Sequence, residues 1–147
     1  MIDIVRASSS LPFVCPIAYV DDVPMLDGGI VDSIPLQRAI EDGYTRNVVV
    51  LTRNRGYRKE SKDIRVPSFL YRKYPNLRAA LGRRCTLYNE QLELVERLED
   101  EGRITVIRPL NPVLVDRIER DTQKLTDFYH EGYECAKQLF SFSVAEK

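Results

Sequence analysis

The chain has 147 residues, of which 44% are hydrophobic and 30% are charged, with 22 basic and 22 acidic side chains. This length suits one domain, and the composition is that of an ordinary globular protein. No apolar run is long enough to cross a bilayer, and the N-terminus shows no basic stretch followed by an apolar segment. We therefore expect a cytoplasmic protein whose three cysteines are reduced. With one histidine and no cysteine–histidine spacing of a zinc site, we expect no metal and no cofactor.

The zero net charge conceals a basic middle segment. Residues 53–84 carry 11 basic and 2 acidic side chains, whereas residues 1–52 carry 3 and 7, and residues 85–147 carry 8 and 13. Such a segment is either a contact for anionic lipid headgroups or a solvated arginine-rich loop. The headgroup candidates at its start are Arg53, Arg55, Arg58, Lys59 and Lys62. No nucleic-acid-binding motif is present, so we expect no nucleic-acid partner.

Short elements are predicted at the start of the chain. The apolar residues 1–7 indicate the end of a helix, which the serines 8–10 and Pro12 terminate. Residues 13–20 are rich in β-branched and aromatic side chains and predict a strand. The aspartates 21–22 predict a tight turn into a returning strand over residues 23–26.

An α/β unit follows. Ser33 predicts the N-cap of a short helix that ends at Gly43. The continuous apolar run 48–51 predicts a buried strand of a parallel or mixed sheet. A strand, a helix and a buried strand in succession are typical of an α/β fold. The basic residues 53–66 then predict a loop.

The remainder of the chain predicts helices and one strand. Residues 69–81 predict helical segments interrupted by Pro75, and an apolar stripe over residues 87–98 predicts a further helix. Residues 104–107 predict a short strand, and Asp121 predicts the N-cap of a long C-terminal helix. Nothing in the pattern indicates a domain boundary, so residues 1–147 are expected to form a single, partial domain.

Asp27 stands at the end of a predicted strand and is followed by Gly28 and Gly29. Glycines adopt backbone conformations closed to other residues and let another segment approach closely. A carboxylate held at such a place can be rigid and partly shielded from water, which suits a general base. As an isolated tripeptide, Asp-Gly-Gly is more often a simple turn.

The surrounding residues favour the catalytic interpretation. Ala7-Ser8 and Pro12, then Pro16, then Asp27-Gly28-Gly29, then Ile34-Pro35 follow in an order and spacing that resemble the second conserved block of the patatin-like phospholipases. The pattern is closer to bacterial predicted esterases of that family than to plant patatins. Many relatives have asparagine where this chain has Ser33, and either residue can cap a helix.

The resemblance implies a three-layer α/β fold with a mixed sheet, of which this chain supplies the C-terminal half. It implies a serine–aspartate dyad that hydrolyses lipids or small esters, with Asp27 as general base. Family members carry the serine in a Gly-x-Ser-x-Gly elbow and the oxyanion donors in a glycine-rich loop, and this sequence contains neither. The chain alone is therefore expected to be inactive, although the longer protein would be a hydrolase.

Other hypotheses stay open. A non-catalytic α/β module could bind anionic membranes peripherally through its basic segment, and a degenerate relative could function only by assembling with another chain. As half of a sheet, the fragment is expected to self-associate as a homodimer or to be poorly soluble. His130 and the serines 8–10 are alternative catalytic groups, but we favour a helix-surface histidine and a structural serine loop.

Overall fold

The computed structural model describes residues 1–60, 66–67, 69–116 and 119–144, with side chains up to residue 139. In chain order its elements are α1 (Ile2–Ser8), β1 (Ala18–Val20), β2 (Val23–Met25), a 3-10 turn (Gly28–Ile30), α2 (Leu36–Glu41), β3 (Asn47–Val50), α3 (Pro75–Asp100), β4 (Ile104–Ile107) and α4 (Thr122–Val144). The α/β class with antiparallel and parallel strand pairs is confirmed. The three-layer arrangement stays a prediction. Within the described ranges, no helix is long and apolar enough to span a membrane.

Contacts divide the chain into two compact units. The first comprises Met1–Arg38 and Lys59–Glu93, and the second comprises Ala39–Arg58 and Leu94–Lys147. The first unit contains α1, the β1–β2 pair and most of α3, and the second contains β3, β4 and α4. The single partial domain predicted for residues 1–147 stays a prediction.

A tight hairpin leads to the candidate site in the first unit. Strand β1 pairs antiparallel with β2, and Val20 lies opposite Val23. Asp21 and Asp22 form the predicted turn, with φ of 47° and 62°, and positive φ at both positions matches the twist of the strands. The strand predicted over residues 13–20 is wrong before Ala18, because Phe13 has a φ of 69° and begins a turn instead.

Helix α3 is continuous from Pro75, so the predicted interruption at this proline is wrong. Proline is tolerated in the first turn because its missing N–H would have no partner there. Leu81 and Leu92 on this helix are buried, as are Ala18, Ile30 and Ile34 in the same unit. The apolar side chains of α1 behave differently, since Ile2, Ile4 and Val5 are all exposed.

The second unit contains the parallel pair, in which Asn47 lies opposite Ile104 and Val50 opposite Ile107. The predicted parallel pairing of the run 48–51 is confirmed, but its complete burial is wrong. Val48 and Val50 are 54% and 69% exposed, whereas Leu51 is 8% exposed. Alternate strand residues point to opposite faces, and only one face of β3 is covered within the described residues.

Helix α4 begins as predicted. The Asp121 carboxylate accepts hydrogen bonds from the N–H groups of Gln123 and Lys124, which identifies it as the N-cap. The apolar side chains of α4 are only partly covered, because Leu125, Tyr129 and Tyr133 are exposed.

Leu98→Ala tests the core of the second unit. Leu98 is 3% exposed, and loss of a buried leucine side chain should lower the free energy of unfolding by about 2–5 kcal/mol. Leu110, which is 75% exposed in the same unit, provides the matched control. Urea unfolding should show a change within about 0.5 kcal/mol for Leu110→Ala; equal effects of the two substitutions would contradict the burial described above.

Candidate functional site

Asp27 follows β2 and precedes the 3-10 turn, as the N-cap of that turn. Its side chain is half-buried, and the Oδ1 atom accepts a hydrogen bond of 2.7 Å from the N–H of Gly29. Its own backbone N–H donates to the carbonyl of Ser10 at 2.9 Å. The carboxylate is thus fixed at the strand end where the sequence predicted it.

The serines at the end of α1 bind the backbone of that helix, and Ser10 also binds the backbone of Asp27. Ser10 is 6% exposed, and its hydroxyl donates to the carbonyl of Arg6 at 2.8 Å. The Ser9 hydroxyl donates in the same way to the carbonyl of Val5 at 3.0 Å. Both hydroxyls donate to backbone carbonyls of α1, and the Ser10 carbonyl accepts from the Asp27 N–H. These contacts support the structural interpretation of Ser9 and Ser10.

Gly29 allows a close approach that a side chain would prevent. A Cβ atom at this position would lie 2.9 Å from Oδ1 of Asp27, whereas a Cβ at Gly28 would meet nothing within 4 Å. The Gly29 carbonyl accepts from the Ser33 hydroxyl at 2.8 Å. Ser33 is therefore not the N-cap that the sequence predicted: α2 begins only at Leu36, and the Ser33 hydroxyl turns back to the glycine.

Two side chains of α3 complete the site. The sequence placed Arg84 among the basic residues offered to anionic headgroups and Gln91 in a helical stripe, and it connected neither with Asp27. Arg84 Nε donates to the Gly29 carbonyl at 3.0 Å. Gln91 Oε1 accepts from the N–H groups of Ser33 and Ile34, each at 3.2 Å, and Gln91 Nε2 donates to Oδ1 of Asp32 at 2.6 Å. Asp32 thus accepts from an amide that lies 59 residues away in the sequence.

The predicted headgroup residues are engaged within the protein. Arg55 donates to both carboxylate oxygens of Asp100 at 2.7 Å, and Arg58 donates to Glu96 at 2.6 and 3.2 Å. The Arg53 guanidinium lies 5.1 Å from the centre of the Tyr57 ring. Lys59, in the first unit, has its Nζ 3.5 Å from the centre of the Tyr88 ring. Lys62 lies outside the described residues.

These ion pairs shift the ionisation of their members. The Arg58 hydrogen bond lowers the pKa of Glu96, with further help from the Gly56 N–H. The Asp100 carboxylate raises the pKa of Arg55. Arg108, buried in the same unit, pairs with Glu99 and lies 3.9 Å from Glu96. The carboxylates at the end of α3 therefore pair with two of the 11 basic side chains of residues 53–84, Arg55 and Arg58, which the sequence offered to an anionic partner.

Comparison with known proteins adds the family of the first segment. Residues 1–40 match the family model of the patatin-like phospholipases. Residues 74–141 match a second model, described as a domain of unknown function (DUF6363). No curated protein and no solved structure matches the chain. The patatin-like segment contains Asp27, Gly29 and Ser33, and the DUF6363 segment contains Arg84 and Gln91.

The single histidine and the three cysteines are the other potentially reactive side chains of the chain. The patatin-like segment contains no histidine, and His130 is exposed on α4 with its ring 5.5 Å from that of Tyr129. The cysteines Cys15, Cys85 and Cys135 are half-buried and not disulfide-bonded. Across the described ranges, no group of three histidine, cysteine, aspartate or glutamate side chains could hold a metal ion.

Gly29→Ala should disrupt the patatin-like loop because its Cβ would lie 2.9 Å from the Asp27 carboxylate. Displacement of that carboxylate would break the bond to the Gly29 N–H, which is worth roughly 1–3 kcal/mol when a charged group takes part. Gly28→Ala is the matched control, and it should leave stability unchanged or raise it by up to about 1 kcal/mol. Thermal unfolding measures both; a larger loss for Gly28→Ala would refute the packing of Gly29.

Arg58→Gln should reduce stability in a pH-dependent way. The folded-state pKa of Glu96 is lowered mainly by Arg58, so this contribution to stability is present above the unfolded-state pKa and is lost as pH falls through the folded-state value. The wild type should therefore be more stable than Arg58→Gln at neutral pH, and the difference should shrink below about pH 4. Urea unfolding at both pH values tests this, and a difference that grows in acid would be the wrong sign.

Proposed function

We propose that the protein carrying these residues is a lipid acyl-ester hydrolase of the patatin-like type, in which Asp27 is the general base of a serine–aspartate dyad. The supporting observation is the fixed Asp27 carboxylate within the segment that matches the family. The match itself supports lipid hydrolysis only at the level of the family. The role of Asp27 rests on its geometry and on the motif around it.

The two carboxylate oxygens of Asp27 differ in their hydrogen bonding and can therefore have different roles. Oδ1 is occupied by the Gly29 N–H, whereas Oδ2 has no hydrogen-bond partner within the described part of the chain. An oxygen that takes a proton must be accessible, and the carboxylate that carries it must be held in place. We therefore assign proton transfer to Oδ2 and anchoring to Oδ1.

The proposed reaction has two steps. Asp27 takes the proton of the serine hydroxyl as the serine oxygen attacks the acyl carbonyl, and then gives that proton to the departing alcohol. Water next attacks the acyl-enzyme, and Asp27 takes a proton from it and returns that proton to the serine as the carboxylic acid leaves. Each step returns the aspartate to its starting state, and no histidine takes part.

The serine of this dyad is not among the 147 residues, because the sequence has no Gly-x-Ser-x-Gly elbow. We propose that another segment of the same protein supplies the serine and the oxyanion donors within the three-layer fold. Loss of even one oxyanion donor costs about 10²–10³ in rate. The chain by itself is accordingly expected not to hydrolyse esters.

The remaining expectations concern peripheral membrane binding and self-association. The peripheral membrane alternative finds no supporting contact, because Arg55 and Arg58 are bound to carboxylates of the second unit. Self-association of the isolated chain stays a prediction, in line with the exposed Ile2, Ile4 and Val5 on α1.

Asp27→Asn in the full-length natural protein tests the proposed function. Asparagine keeps the shape and can still accept from the Gly29 N–H, but it cannot take a proton. Hydrolysis of a p-nitrophenyl ester and of a phospholipid should fall by a factor of about 10² or more. Asp22→Asn is the matched control, because this exposed turn aspartate has a positive φ that asparagine also adopts.

The Asp22→Asn protein should keep wild-type rates. Full activity of Asp27→Asn would overturn the proposed role of Asp27, and absence of ester hydrolysis by the folded natural protein would overturn the hydrolase assignment.

A further inference from the structure

The Asp27 loop is held by helix α3, which begins within the basic segment. We propose that Arg84 and Gln91 of α3 are positioning residues for the catalytic aspartate, so that the start of the DUF6363 segment, residues 74–93, is part of the hydrolase site rather than an appendage to it. This inference rests on the proposed function. Every contact that supports it lies within the first compact unit.

Arg84 acts on the residue that holds the carboxylate. The N–H of Gly29 donates to Asp27 Oδ1, and the carbonyl of the same glycine accepts from Arg84 Nε at 3.0 Å. The half-buried Arg84 guanidinium is charged, so this bond is stronger than one between neutral groups. Without it, the carbonyl of the glycine that holds the Asp27 carboxylate would keep only the Ser33 hydroxyl as a side-chain donor among the described residues.

Gln91 fixes the other end of the loop. Its amide oxygen accepts from two consecutive backbone N–H groups, those of Ser33 and Ile34, and its amide nitrogen donates to the Asp32 carboxylate. A single side chain thus holds three consecutive residues. Because Ser33 also donates to Gly29, the Gln91 contacts are connected to the Asp27 carboxylate through two hydrogen bonds.

Both side chains project from one rigid element. Arg84 and Gln91 are seven residues apart, which is close to two helical turns and places them on the same face of α3. The helix is secured in this unit by Leu81 and Leu92, which are 2% and 3% exposed. A reacting group has to be held to within about 0.5 Å, and supporting residues on a helix achieve this better than a loop alone.

The effect of losing this support should fall on the rate of chemistry rather than on substrate binding. Neither Arg84 nor Gln91 is proposed to touch the substrate, so KM should change little. A misplacement of about 1 Å can cost roughly 10²-fold in rate. A positioning role therefore predicts a lower kcat at nearly constant KM.

Arg84→Ala in the full-length natural protein should lower kcat for p-nitrophenyl ester hydrolysis by about 10- to 100-fold with KM within about twofold. Arg84→Lys should recover much of the loss, because an ammonium can donate to the Gly29 carbonyl. Arg83→Ala is the matched control on the neighbouring, exposed position of the same helix, and it should retain wild-type kinetics. Circular dichroism and thermal unfolding establish that each variant is folded.

Gln91→Glu provides a second test that does not depend on Arg84. The new carboxylate would face the Asp32 oxygen that now accepts from Gln91 at 2.6 Å, so repulsion should displace the loop and lower kcat. Asp32→Asn combined with Gln91→Glu exchanges donor and acceptor and keeps an oxygen for the Ser33 and Ile34 N–H groups. The double variant should therefore recover activity that Gln91→Glu loses.

The Asp27 and α3 variants together distinguish failure of the proposed function from failure of the positioning role alone. If Asp27→Asn is fully active, the proposed function fails and this inference fails with it. If Asp27→Asn is inactive but Arg84→Ala and Gln91→Glu keep the wild-type kcat, only the positioning role fails. A loss that appears in KM alone, or that the Arg84→Lys and double variants do not recover, would also overturn it.

Discussion

The hydrogen bond from the Gly29 N–H to the Asp27 carboxylate is the constraint on which the site depends. It requires a residue without Cβ, because a methyl group would lie 2.9 Å from Oδ1. It also requires the backbone at Gly29 to be held in place, and Ser33 and Arg84 both donate to the carbonyl of this residue, one peptide unit beyond the N–H that binds Asp27. One oxygen of Asp27 is thereby bound to the backbone, and the other is the oxygen to which we assign proton transfer in the proposed dyad.

The features of the structure that could be predicted from the sequence are those that depend only on residues adjacent in the chain. The Asp21–Asp22 turn and the Asp121 cap each depend on a few neighbouring side chains and on the backbone geometry that these side chains favour. Asp27 with its two glycines belongs to the same class of signal. The family resemblance of residues 1–40 likewise follows from a contiguous block and agrees with the match found.

The parts that escaped prediction depend on distant partners. Arg84 meets Gly29 across 55 residues, and Gln91 meets Asp32 across 59, so no local pattern marks either side chain as part of the site. The same holds for Arg55 and Arg58. The sequence offers both to an anionic partner, but in the structure they pair with Asp100 and Glu96, which are 45 and 38 residues away in the chain, respectively. Ser33 differs from the predicted N-cap because its hydroxyl donates to the Gly29 carbonyl, whereas a cap would accept from a helix N–H.

The charged side chains at the two ends of α3 are arranged unfavourably for an isolated helix, so tertiary contacts have to offset this cost. A helix favours acidic residues near its start and basic residues near its end, by about 0.3–1 kcal/mol each. Helix α3 has Arg78 in its opening turns, and its last turn carries Glu99 and Asp100 beside the basic Arg97, so the net charge at both ends has the unfavourable sign. The carboxylates at its end are compensated by Arg108 and Arg55. Arg84 lies in the third turn of α3, beyond the reach of this effect, and its guanidinium donates to the Gly29 carbonyl in the first unit.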